Sequence, residues 1–159
     1  MGFAPSSMQL SSQSFKANDK IPIEFTGEGA DKSPQLSWTN TPESTKSFAI
    51  ICHDPDAPLI SPNGTTGFVH WVQYNIPADI SQLDENAQPF TLGKNDFGNL
   101  GYGGPMPPPG HGLHHYYFWI LALNAKTSLP EGLSMGAVLR EIEPNVIGMN
   151  RLIGSYERT

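Results

Sequence analysis

The sequence predicts a mainly β, single-domain protein, and three observations carry that prediction. Glycine (16) and proline (15) are abundant while charged residues make up only 15% of the chain, which marks a chain rich in turns and ordered loops. The apolar segments are short, aromatic and β-branched, and they are bounded by Gly, Pro, Asn and Asp. One segment alone repeats apolar residues at a convincing helical spacing. At 159 residues one hydrophobic core suffices, so we expect one domain over 1–159, with residues 1–8 a loosely ordered N-terminal segment.

Ile21-Pro22-Ile23-Glu24-Phe25 alternates as a short strand, and Pro22 places it at an edge or a strand start. Gly27 to Pro34 is a polar turn region, and Leu36-Ser37-Trp38 reads as another short strand. Ser47 to Cys52 is a buried strand that runs into His53-Asp54-Pro55-Asp56-Ala57-Pro58, where two prolines stop it. After the loop Ser61-Pro62-Asn63-Gly64, Phe68 to Ile76 is a strand rich in aromatic and β-branched residues. Pro77 to Gly112 is full of Gly, Pro, Asn and Asp, and irregular segments of that length are usually functional. Leu113 to Leu123 is the clearest strand, apolar on both faces from Tyr117 onward, as a central strand should be. Met135, Val138, Leu139 and Ile142 share one face of a helix over Ser134 to Ile142, with Ser134 able to cap it and Glu143-Pro144 to stop it. A helical turn around Asn145 to Asn150 and a closing strand from Leu152 to Tyr156 complete the reading.

Composition excludes several functions. The net charge is −6 with no basic cluster, so nucleic acid is not an expected partner and a grip on anionic membrane surfaces is disfavoured. Hydrophobic residues are 38% of the chain, and the longest apolar run, Tyr116 to Leu123, is too short to span a bilayer. A lone cysteine, Cys52, rules out an internal disulfide and a multi-cysteine zinc site. Met1 to Leu10 has neither a charged nor an apolar leader region. A reducing, cytoplasmic location is the expectation, with no cofactor and no metal.

Three chain-distant segments hold most of the chemistry-bearing residues. In an extended backbone Asp54 and Asp56 point the same way, on a corner stiffened by Pro55 and Pro58. His70 lies on the Phe68–Ile76 strand, with Val72 and Tyr74 as its face-mates by strict alternation. His114 and Tyr116 share a face, and His115 points to the opposite one. Brought together, two carboxylates, two imidazoles and a phenol suit a small polar ligand with an anionic group. Each piece also has an ordinary structural reading. Asp-Pro-Asp is common turn chemistry, His70 a satisfied sheet histidine, and His114-His115 a surface pair. Trp38, Trp71 and Trp119 read as core, and Cys52 as a small buried hydrophobe.

Asp54-Pro55-Asp56-Ala57-Pro58, His70-Trp71 and the Gly-Pro-rich run ending Gly112-Leu113-His114-His115-Tyr116 resemble the signature regions of the phosphatidylethanolamine-binding protein family. The likeness is nearest to its bacterial, Raf kinase inhibitor-like branch, and Leu36-Ser37-Trp38, Asn95-Asp96-Phe97-Gly98 and Gly154-Ser155-Tyr156 extend it over nearly the whole chain. The resemblance implies an antiparallel β-sandwich with one or two short helices near the C-terminus. It implies a surface pocket for phosphate, phospholipid head groups or similar molecules, comprising Asp54, Asp56, Pro58, Phe68, His70, Pro108, His114 and Tyr116. It also implies a cis bond at Ala57–Pro58, a homodimer, and a protein partner such as a kinase. Two departures stand out. His115 replaces the family's usual Arg, and Met106 sits where relatives often have a smaller residue.

The expected function is therefore a binding module for a small anionic ligand, such as phosphate or a phosphoethanolamine-like group, with no catalytic residue assigned. The alternative is a metal-dependent or acid–base hydrolase of a small phosphoester, using Asp54, Asp56, His70 and His114. It ranks lower because no activated nucleophile and no phosphate-cradling glycine loop is evident.

Overall fold

The computed structural model describes residues 6–60, 62 and 65–159. Eight strands and one α-helix follow in chain order: β1 (Gln9–Ser11), β2 (Leu36–Thr39), β3 (Ser47–Asp54), β4 (Phe68–Pro77), β5 (Gln82–Leu83), β6 (Thr91–Leu92), β7 (His114–Leu123), α1 (Met135–Ile142) and β8 (Val146–Tyr156). They form two antiparallel sheets, one ordered β1-β2-β5 and the other β6-β4-β3-β7-β8. The expected mainly β antiparallel architecture is present.

Central strand β3 is buried on both faces, which explains its unbroken apolar run. Phe48, Ile50 and Cys52 face the small sheet and pack with Leu36 and Trp38 of β2 and Phe118 and Ile120 of β7. Ala49 and Ile51 face the other way, where Met135, Val138 and Ile142 of α1 cover them. Ser134 caps α1, its Oγ accepting from the Ala137 amide at 3.1 Å.

Three local expectations are corrected. Ile21–Phe25 is not a strand. Pro22 lacks a donor for a ladder, and Ile23–Phe25 closes as a 3₁₀ turn in which the Phe25 amide donates to Pro22 O and the Thr26 amide to Ile23 O. The helical turn expected over Asn145–Asn150 is absent. A 3₁₀ turn ends at Asn145, and β8 runs from Val146 onward, longer than the Leu152–Tyr156 strand read from the sequence. Of the N-terminal segment read as loose, residues 1–5 lie outside the described residues. Met8 is fully buried, and its amide donates to Ser6 Oγ. Ser61, Asn63 and Gly64 of the expected loop also lie outside them. Strand β1 was not foreseen, because three residues are too few to show a period.

The pairing of β3 with β4 is irregular where it matters. His53 pairs with Val69 and Cys52 with Trp71, so His70 is an extra residue on β4. Such a bulge breaks alternation. Val72 and Tyr74, read as face-mates of His70, instead join Val69 beneath α1, while Trp71 turns into the sandwich.

Candidate functional site

Antiparallel pairing places the end of β3 beside the starts of β4 and β7. Asp54 pairs with Phe68, and His53 with Tyr117. On β7 alternation is unbroken, so His114 and Tyr116 share the buried side and His115 is exposed. A cavity of about 230 Å³ opens at this end. Of the expected site residues, Asp54, Pro58, Phe68, His70, Pro108, His114 and Tyr116 line it. Ala57, Leu59, Phe97, Met106 and Pro107 complete the wall.

Asp56 does not line the cavity, and the expectation that it points with Asp54 fails. The chain turns immediately after Asp54, whose Oδ1 accepts from the amides of Asp56 (2.8 Å) and Ala57 (3.2 Å). That side-chain-to-backbone turn replaces the extended geometry on which alternation depends. Asp56 instead meets His115 outside the cavity, its Oδ2 accepting from the His115 amide at 2.8 Å and lying 2.7 Å from Nδ1. Burial pushes the Asp56 carboxyl up, but the two His115 hydrogen bonds outweigh it and hold the group below its ordinary value. The Ala57–Pro58 bond is trans, contrary to the expected cis.

The polar groups are joined in a definite order. Asp54 Oδ2 accepts from His114 Nδ1 at 2.6 Å, with both side chains buried. A carboxylate can only accept, so His114 Nδ1 carries the hydrogen and, in the neutral ring, Nε2 is an acceptor. That nitrogen lies 2.7 Å from His111 Nδ1. His70 Nδ1 donates to the carbonyl of Gly103 at 2.6 Å, which leaves its Nε2 as an acceptor too. The His70 ring lies 4.8 Å from Phe68, 5.1 Å from Tyr116 and 5.7 Å from Phe97. Burial among these rings lowers its pKa from 6.5 to about 4, so the imidazole is neutral near pH 7.

Tyr116 is 0% exposed, and its hydroxyl has no hydrogen-bond partner among the described residues. Burial, and then the Asp54 carboxylate, push its pKa well above the ordinary phenol value, so it remains a donor. No lysine or arginine is among the described lining residues.

The four-residue metal set of the alternative reading is not assembled. Asp56 is directed elsewhere, and among the described residues no three His, Cys, Asp or Glu groups converge to hold a metal ion. Sequence reasoning missed His111 and Phe97. Gly110-His111-Gly112 carried no period, and Phe97 reaches the cavity only because Asn95 folds its loop. Asn95 Oδ1 accepts from the Phe97 and Asn99 amides, and Nδ2 donates to Gly101 O.

The family model described as "Phosphatidylethanolamine-binding protein" matches residues 11–157. The chain belongs to the phosphatidylethanolamine-binding protein family. Among its relatives, a UPF0098 protein of Aquifex aeolicus is 41% identical over 158 residues, spanning 95% of this chain and 89% of that protein. The crystal structure of CT736 from Chlamydia trachomatis, a putative family homologue by its own description, superposes with a TM-score of 0.87 at 35% identity. It covers 97% of this chain and 99% of the other. Escherichia coli YbcL, described as a member of the mammalian family, matches with the same TM-score at 32% identity, covering 97% of this chain and 100% of its own. The family and fold expected from the sequence are both found. No helix among the described residues is long and apolar enough to cross a membrane.

Proposed function

We propose that this member of the phosphatidylethanolamine-binding family is a receptor for a small anionic group, a phosphate or a phosphorylated head group, held in the cavity between Asp54, His70, His114 and Tyr116. The carrying observation is the Tyr116 hydroxyl, fully buried at the cavity with no partner among the described residues. A buried donor without a partner is costly, and a ligand oxygen is the missing acceptor. His70 Nε2 accepts, so the complementary ligand also presents a donor. A singly charged phosphate carries P–OH beside two unprotonated oxygens that share its charge, and so offers both. Phe68, Phe97 and the prolines give the cavity a largely apolar wall, in which each of these bonds is stronger than in water.

Acid–base hydrolysis is the weaker reading. The Asp54-oriented imidazole of His114 would have to activate a water, and its outward nitrogen is engaged by His111. A kinase or other protein partner that reads cavity occupancy, a homodimeric assembly and a cytoplasmic location extend the proposal on the family resemblance alone.

Calorimetric titration with inorganic phosphate and with phosphoethanolamine tests it. Tyr116→Phe should weaken binding by roughly tenfold to a hundredfold, the worth of one hydrogen bond to a charged group. His70→Ala should weaken it as well. Unchanged affinity in a folded Tyr116→Phe protein rules the cavity out as the receptor.

A further inference from the structure

We propose that His111 occupies the ligand position at His114 Nε2 from within the chain, so that an incoming anion must displace it. This rests on the cavity being the anion receptor. His114 has one nitrogen committed to Asp54, so Nε2 is the only atom it can offer to a ligand. In the structure that atom is already taken, 2.7 Å from His111 Nδ1, with ring centroids 4.9 Å apart. With the His114 ring neutral, its Nε2 accepts and His111 Nδ1–H donates. His111 thus supplies the same kind of hydrogen bond as one P–OH of dihydrogen phosphate, whose second P–OH is left for His70 Nε2.

The occupancy is built to be reversible. His111 is an exposed residue, and the His114 contact is the one hydrogen bond its ring makes among the described residues. Its amide donates to Pro108 O in a turn of its own, so the ring can swing away without loss of backbone bonding. Gly110 and Gly112 on either side adopt left-handed φ of +73° and +99°, and no atom of the described residues lies within 4 Å of where a Cβ would stand on either. The glycines are thus required by the backbone path rather than by packing, and that path brings His111 over His114. The adjoining Pro107 and Pro108 line the cavity, whereas His111 is not among its lining residues and reaches the site through its bond to His114.

Titration of inorganic phosphate into wild type and His111→Ala at pH 7 tests this. Losing one exposed neutral hydrogen bond as a competitor should tighten phosphate binding roughly twofold to tenfold. The ring ¹⁵N resonances of His111 should also move to those of a solvated imidazole when wild type is saturated. Equal affinity in the two proteins overturns the displacement while leaving the receptor standing. Weaker binding in His111→Ala overturns it as well, by making His111 a ligand-binding residue. Absence of phosphate binding in both proteins removes the receptor reading and the displacement with it. Phosphoethanolamine run in parallel separates a head group from free phosphate as the source of the anion.

Discussion

Tyr116 carries a buried hydroxyl with no acceptor among the described residues. A buried, unpartnered polar group costs about 1–3 kcal/mol, whereas a phenylalanine of the same shape has nothing to satisfy. Tyr116→Phe should therefore raise the stability of the free protein, by about 1 kcal/mol in urea denaturation, while abolishing most anion affinity. A loss of stability would mean that the hydroxyl has a partner within the fold. His70 makes the complementary case. Its pKa falls from 6.5 to about 4 on folding, so between these values the unfolded chain holds a proton that the folded chain lacks. Stability is fully present above the unfolded value and is lost as pH falls through that window, by about 3 kcal/mol in all. Urea midpoints followed from about pH 7 to about pH 4 should drop accordingly. The drop should be much smaller in His70→Gln, which keeps a donor for Gly103 O but does not titrate. Parallel curves for the two proteins would remove His70 as the cause.

At the scale of elements, the loop bearing Asn95 to Gly104 decides whether β4 presents a usable histidine. Gly103 is bonded twice to His70, its amide donating to the His70 carbonyl at 2.9 Å and its carbonyl accepting from Nδ1. A Cβ on Gly103 would stand 2.5 Å from Phe97 Cδ2, so no side chain fits unless the cavity wall moves. Gly103→Ala should cost about 1–3 kcal/mol by overpacking and should weaken phosphate binding as Phe97 shifts. Normal affinity with normal stability would show that the loop yields freely. None of this was legible in the sequence, where Asn95-Asp96-Phe97-Gly98 entered as part of a resemblance and not as geometry. What alternation could reveal depended on the strand. His114 and Tyr116 were correctly placed on one face because β7 pairs without a break through that stretch. Asp56 was misplaced because a side-chain-capped turn begins at Asp54, and the neighbours of His70 were misplaced because a bulge inserts one residue. Period-two reasoning is a statement about regular pairing, and functional residues here sit where pairing ends or slips.

At the scale of the molecule, an anion receptor on a chain of net charge −6 with no lysine or arginine among the described lining residues must work by hydrogen bonding within an apolar wall rather than by attraction from a distance. The three polar corners come from positions 54, 70 and 114, brought together only because β4, β3 and β7 are neighbours in one sheet. The Asp54 carboxylate accepts from two amides and one imidazole, so most of its lone-pair sites are committed to protein donors. Salt should reveal this design. A site built from exposed cations loses affinity as ions screen it, over a Debye length of about 10 Å at 0.1 M. Here the long-range field of an acidic protein opposes an approaching phosphate, and added salt weakens that opposition. Phosphate affinity at pH 7 should therefore stay level or rise by about twofold between about 0.05 M and about 0.5 M sodium chloride, and the association rate in stopped flow should rise with it. A tenfold fall over that range would show that a lysine or arginine outside the cavity wall reaches the ligand, and that the hydrogen-bond account of the site is incomplete.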